Sequence, residues 1–191
     1  MINPYLKNMN RALFIDRDGV INKERDYVYR ISDFEFVPDI FNNLKQFNSL
    51  GFLIIIITNQ AGIGRGLYSE EDFNDLTKWM LGEFENNQVK ITDVYFDPCH
   101  PEHGVGKYKK DSYNRKPNPG MIFNAAEKHN IDLNNSILVG DKLNDIEAGI
   151  NAGIGHLYLV KTGHCTSGVE LPEKCKLVET LDEILPDQEQ S

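Results

Sequence analysis

The chain has 191 residues, a formal net charge of −9, 40% hydrophobic residues and 26% charged residues. That length supports one domain, 1–191, with a sizeable buried core. The acidic balance opposes general affinity for nucleic acid or anionic membrane. The longest apolar run, 52–57, is far too short to span a bilayer, and the opening MINPYLKNMNR has no apolar stretch of signal-peptide length. Cys99, Cys165 and Cys175 are odd in number and widely spaced, so a cytoplasmic, reducing setting without a disulfide framework is expected.

In chain order, Ala12-Leu13-Phe14-Ile15 is an unbroken apolar run, which suits a strand covered on both faces of a parallel sheet. It delivers Asp16, Asp18 and Gly19 to its carboxyl end. Residues 21–38 are dense in charge and tyrosine and read as a hairpin or flap. Asp39 is placed to cap a helix to Leu50, carried by Ile40, Phe41, Leu44 and Phe47 at helical spacing. A second buried strand over 52–57 presents Thr58, Asn59 and Gln60, followed by a glycine-rich loop to Gly66. Ser69 with Asp72 opens the next helix, and a third strand is expected over 92–96.

Residues 97–116 form a long irregular insert, and unstructured connections of that length are usually functional. A helix with Pro119 in its first turn runs to about Asn130. A fourth strand over 136–141 again ends on an acid, Asp141. A short helix over 144–152, a fifth strand over 154–160, a possible strand at 176–178 and a short helix near Leu181 complete the chain. The alternation points to one doubly wound α/β domain, in which ligands sit beyond the carboxyl ends of the strands.

Three strand ends therefore bring Asp16 and Asp18, Thr58 and Asn59, and Asp141 to one edge, with Lys116 just before the helix that feeds the last of them. Taken alone, acids after a strand are most often caps or Asx-turns. Together, carboxylates able to share a divalent cation, a hydroxyl and an ammonium suit phosphoryl transfer. Attack by a carboxylate on a phosphate dianion needs added positive charge, which Mg²⁺ supplies. Gly62, Gly64 and Gly66 lack the Gly-x-Gly-x-x-Gly spacing of a dinucleotide loop, and no acid on a following strand supports one.

Asp16-Arg17-Asp18-Gly19-Val20, Thr58, Lys116 and Gly140-Asp141-Lys142-Leu143-Asn144-Asp145 follow one another in the order of the haloacid-dehalogenase (HAD) superfamily motifs. The chain resembles a phosphatase of that superfamily over roughly 11–163, within the histidinol-phosphate/heptose-bisphosphate branch. The resemblance implies a three-layer Rossmann-like fold with a central parallel sheet, a flap hairpin after the first strand and a minimal cap made by the 97–116 insert. It implies Asp16 as nucleophile, Asp18 as general acid and base, and Thr58 and Lys116 as phosphoryl-binding groups. Mg²⁺ would be held by Asp16, the Asp18 carbonyl and Asp141. Asp145 is expected to orient Lys116 or a metal-bound water, or to be no more than an acid in a helix first turn.

The same branch implies sugar contacts from Glu24, Arg25, Asp26 and Tyr27, whose alternative is a solvated charged hairpin. It also implies substrate contacts from Asn59, Gln60, Arg65 and Lys142, and a place for Arg115 at a second, distal phosphate. The expected substrate is a small phosphosugar, a heptose 1,7-bisphosphate losing its 7-phosphate. Histidinol phosphate is the runner-up, and an inactive phosphosugar-binding module is the reading from a different class. A monomer is expected, with neither nucleic acid nor membrane as partner. Relatives often carry a zinc loop whose four ligand positions correspond here to Asp97, Cys99, Ser112 and Asn114, a set with one thiolate. No structural zinc is expected, although Cys99, His100 and His103 leave room for a stray metal.

Overall fold

The computed structural model describes residues 9–161 and 171–184. Cys165 and most of the N-terminal stretch weighed above lie outside the described residues. Six strands form one sheet: β1 (Ala12–Ile15), β2 (Leu53–Asn59), β3 (Asp93–Asp97), β4 (Ile137–Gly140), β5 (His156–Val160) and β6 (Cys175–Val178). Their order is β3-β2-β1-β4-β5-β6, and every pairing is parallel. Among the described residues, five α-helices accompany them: α1 (Ile40–Ser49), α2 (Ala61–Gly64), α3 (Glu70–Asn86), α4 (Gly120–His129) and α5 (Leu143–Ala152).

Strand alternation divides the core into two. Leu13, Ile15, Ile54, Ile56 and Val139 pack with Leu44 and Phe47 of α1 and Leu76, Met80 and Phe84 of α3. Ala12, Phe14, Ile55, Ile57 and Leu138 pack on the other side with Met121, Ile122 and Ala125 of α4 and Ile146 and Ala152 of α5. Helices on both faces make the three layers. They also explain why β1, β2 and β4 read as unbroken apolar runs: each buried Leu, Ile or Phe contributes about 1.5–3 kcal/mol, on either face.

Register places the chemistry. Ile15 lies level with Ile56 and with Val139. Asp16, which follows β1, therefore shares one rim with Thr58 near the end of β2 and Asp141 just beyond β4. A slip of one residue would move any of these by about 3.3 Å.

Several local features differ from expectation. Residues 21–38 form a loop whose legs are tied at the base by Lys23 N–H to Glu35 C=O (2.8 Å), Val37 N–H to Ile21 C=O (3.0 Å) and one antiparallel bridge, Asn22–Phe36. The hairpin ladder goes no further. Val28 and Phe34 are drawn into the core, and a 3₁₀ turn at Ile31–Asp33 replaces strand pairing. Asp39 sits at the N-cap of α1 with φ 58° and makes no capping hydrogen bond. Ser69 and Asp72 do form the reciprocal capping box at α3. The glycine-rich 61–64 stretch is a short helix, and Pro119 is the N-cap of α4, one position before its first turn. Among the described residues, no helix is long and apolar enough to cross a membrane.

Candidate active site

The carboxyl ends of β1, β2 and β4 and the approach to α4 surround a cleft of about 270 Å³. Asp16, Thr58, Lys116, Asp141 and Asp145 are all buried. Ligand oxygens of Asp16, Asp141 and Asp145 lie within 4.8 Å of one another. Gly19 makes this packing possible. Its φ is +88°, and a Cβ there would fall 2.4 Å from Oδ2 of Asp141, so turn and close approach both require glycine.

Lys116 joins the trio. Its Nζ lies 2.9 Å from Asp16 Oδ1 and 2.6 Å from Asp145 Oδ1, and donates to the Ile57 carbonyl at 2.9 Å. The three ammonium hydrogens are thereby matched by three acceptors. Burial works against that charge, but Asp145 and Asp16 outweigh it and hold Lys116 firmly protonated. Asp16 Oδ1 also accepts the Arg17 N–H at 2.7 Å. Both contacts fall on Oδ1 and neither on Oδ2. Burial pushes the Asp16 carboxyl up to about 8; Lys116 opposes the shift, while Asp145 and Asp141 add to it. One ammonium is therefore too little positive charge to keep Asp16 ionised at neutral pH. Clustered hard carboxylate oxygens short of positive charge fit a divalent cation such as Mg²⁺.

The Asp18 carboxylate points elsewhere. Arg17 grips it with a fork of contacts at 2.9–3.2 Å, and Asn22 and Gln60 each donate to it at 3.1 Å. Burial alone would raise its pKa, but Arg17, Asn22 and Gln60 bring it below the ordinary value. Arg17 is itself 2% exposed and donates to the Val28 carbonyl at 2.8 Å, so the flap and the acid share one guanidinium. Sequence reasoning missed Arg17; its place between two acids in a tight turn was the available signal.

Gln60 and Asn59 line the cleft, but their amides are already engaged. Gln60 Nε2 donates to Thr58 Oγ1 (2.8 Å) and Asp18, and its Oε1 accepts from Tyr68 (2.6 Å). Asn59 pairs with both the N–H and the C=O of Lys116, at 3.0 and 2.9 Å, just before the cis Lys116–Pro117 bond. These two residues order the site from within. Asp145 does likewise, since its Oδ2 accepts the Lys142 N–H at 3.1 Å.

Across the cleft, Lys142 and Glu24 pair at 3.0 Å, and Asp26, Tyr27, Arg65 and Arg115 complete the wall. Arg65 lies over the Tyr27 ring at 5.8 Å. Burial and the neighbouring Arg65 both work against the charge of Arg115, although Asp97 partly offsets them. Two guanidiniums on one rim suit an anion. Arg25, expected at the sugar, is not on the cleft: it pairs with Glu35 at 2.6 Å on the exposed side of the flap. The insert adds one wall residue that the sequence did not single out as a substrate contact, His100. Its Nδ1 accepts the N–H groups of Glu102 (3.2 Å) and His103 (3.1 Å). Asp97 accepts from the Cys99 N–H and the Ser112 hydroxyl, and Ser112 Oγ accepts the Asn114 N–H, so the four positions that correspond to the relatives' zinc ligands are joined by hydrogen bonds.

A three-layer parallel fold, in which acids just beyond the first and fourth strands meet around a buried lysine, defines a phosphoryl-transfer hydrolase of the HAD type. A family model described as HAD-hydrolase-like matches residues 113–184. The chain is 54% identical over 151 residues to a D-glycero-alpha-D-manno-heptose-1,7-bisphosphate 7-phosphatase of Burkholderia mallei, covering 79% of this chain and 80% of that one. It is 45% identical over 152 residues to the corresponding beta enzyme of Vibrio cholerae, covering 80% and 82%. The crystal structure of D,D-heptose 1,7-bisphosphate phosphatase from B. bronchiseptica with magnesium and phosphate superposes with a TM-score of 0.82 at 26% identity, covering 92% of this chain and 96% of that one. The chain belongs to the heptose-bisphosphate phosphatase family of HAD phosphomonoester hydrolases.

Proposed function

We propose that this enzyme removes the 7-phosphate of a D-glycero-D-manno-heptose 1,7-bisphosphate, in the synthesis of nucleotide-activated heptose for surface polysaccharide. The observation that carries this reading is the pairing, in one cleft, of the Asp16 cluster with a separate cationic wall at Arg65 and Arg115. One end serves the phosphate that leaves and the other the phosphate that stays. The 54% match to an alpha-named relative, against 45% for a beta-named one, favours the α anomer.

Asp16 Oδ2 attacks phosphorus and the bond to the sugar oxygen breaks, leaving an aspartyl-phosphate. Asp18 gives the departing oxygen its proton, then takes one from the water that hydrolyses the intermediate. Free Asp18 is held ionised by Arg17, which suits the second step; the incoming dianion supplies the charge that favours its protonation for the first. Lys116 and Thr58 neutralise and orient the phosphoryl oxygens, with Lys116 exchanging a carboxylate contact for a phosphate one. Asp16 and Asp141, with the Asp18 carbonyl, would hold Mg²⁺, which when bound offsets the repulsion between carboxylate and phosphate. Glu24, Asp26, Tyr27 and Lys142 face the sugar. No structural zinc is invoked, since the insert is tied by its own hydrogen bonds.

We infer further that the enzyme works as a cytoplasmic monomer on a soluble phosphosugar. Comparing kcat/KM on α- and β-heptose 1,7-bisphosphate, fructose 1,6-bisphosphate and histidinol phosphate tests the reading. A heptose substrate should lead the panel, and a higher value for histidinol phosphate would overturn the choice.

A further inference from the structure

Asp97 is the last residue of β3 and is 3% exposed, yet it touches none of the reacting groups described above. A buried carboxylate needs partners for both oxygens. Oδ1 accepts the Cys99 N–H at 2.8 Å, and Oδ2 accepts the Ser112 hydroxyl. Those two partners are the residues that hold Arg115. The Cys99 carbonyl accepts from the Arg115 guanidinium at 3.0 Å, and the Ser112 carbonyl accepts the Arg115 N–H at 3.0 Å. Asn118 Nδ2 adds a second bond to the Ser112 carbonyl, also at 3.0 Å. The Asp97 carbonyl in turn accepts the N–H of Gln60, whose side chain bonds Thr58 and Asp18. One carboxylate thus ties both ends of the insert to the end of β3, and the carbonyl of the same residue links that point to Gln60, just beyond the strand that carries Thr58.

We propose that Asp97 and Ser112 form an internal clip that positions Arg115 for the second phosphate, so that preference for a bisphosphate rests on two residues that touch neither phosphate. The inference rests on the assignment of Arg115 to the distal phosphate. Without the clip, the insert from Pro98 to Asn114 is joined to β3 by chain connectivity and scattered loop contacts, and a guanidinium displaced by about an ångström loses its bidentate fit to an anion.

The test is steady-state kinetics of Ser112→Ala, Ser112→Thr, Asp97→Asn, Arg115→Ala and the Ser112→Ala/Arg115→Ala double variant, on heptose 1,7-bisphosphate and on 4-nitrophenyl phosphate. Ser112→Ala should raise KM for the bisphosphate about tenfold with kcat within about twofold, and leave both parameters for the aryl phosphate in place. Ser112→Thr should restore KM, because it returns the hydroxyl. In the Arg115→Ala background, Ser112→Ala should add nothing further. Asp97→Asn keeps the shape and loses the charge, and should reproduce the KM effect if Ser112→Ala does not fold. Equal losses on both substrates, or additive losses in the double variant, would overturn the clip. An Arg115→Ala enzyme with unchanged KM for the bisphosphate would instead overturn the distal-phosphate assignment, and the clip with it.

Discussion

The ammonium of Lys116 lies closer to Asp145, at 2.6 Å, than to Asp16, at 2.9 Å. Lys116 is therefore anchored by an acid that need not react, and its contact with Asp16 is the one free to be exchanged for phosphate. Replacing Asp145 by Asn should leave Lys116 with a single carboxylate, Asp16. The ammonium would then compete with phosphate for Asp16. We expect kcat to fall about tenfold to a hundredfold and stability to fall by about 2 kcal/mol, less than the full cost of breaking a buried pair because Asp16 remains. Steady-state kinetics and urea unfolding check both; wild-type kcat in this variant would remove the anchoring role.

Asp16→Asn removes the proposed nucleophile and should abolish turnover. At the alkaline pH where Asp16 ionises, it also relieves a buried carboxylate trio of one charge, so there its effect on stability has the opposite sign. The fold favours protonated Asp16 up to about pH 8. That stabilisation is complete below the ordinary carboxylate pKa of about 4 and is lost as pH rises through the folded value. In chelator, the Tm of the wild type should therefore decline between about pH 5 and pH 9 while that of Asp16→Asn stays flatter, and added Mg²⁺ should raise the wild-type Tm most at the alkaline end. Parallel Tm profiles for the two proteins would show that the trio is not strained by its charge.

The sheet and its acids were legible because burial on both faces writes itself as unbroken apolar runs. A strand so written has only one place to put Asp16 or Asp141, its carboxyl end. Lys116 and Thr58 were readable through the order of the motifs. Arg25 was not, because in an exposed flap a charged side chain has several equivalent partners, and Glu35 across the loop won it. Nor was the engagement of Gln60 and Asn59, whose residue types suit sugar hydroxyls and backbone amides equally well. The Lys116 backbone is 57 residues from Asn59, and Tyr68 reaches Gln60 from beyond the short helix between them, so only the folded chain brings these partners close enough to take the amides.

Arg17 gives the pH profile a handle. Its fork holds Asp18 below the ordinary carboxylate range, so where hydrolysis of the intermediate limits turnover the acid limb of kcat, which reports Asp18 acting as base, should lie below that range. Arg17→Lys keeps a positive charge but cannot reproduce the fork. Its acid limb should move to higher pH, with a loss of stability from the tighter fit that the guanidinium makes with Val28 and Phe73. An unmoved limb would mean that another group sets it.

Away from the cleft, Asp93 at the start of β3 lies between Lys128 and His129 of α4, at 2.8 and 2.9 Å. Burial would raise its pKa, yet the bonds from Lys128 and His129 bring the carboxyl down to about 2. A depressed acid contributes stability that is fully present above the unfolded pKa of about 4 and is lost as pH falls toward the folded value. The contacts are partly open to solvent, so the contribution is under about 1 kcal/mol after screening. For a domain of this size, Asp93→Asn should lower Tm by about 1–3 °C at pH 7. The difference from wild type should shrink between about pH 4 and pH 2 and diminish in high salt. A gap that persisted unchanged at pH 2 would assign the effect to packing between α4 and the sheet edge, and would remove charge as the reason this helix end is tied to β3.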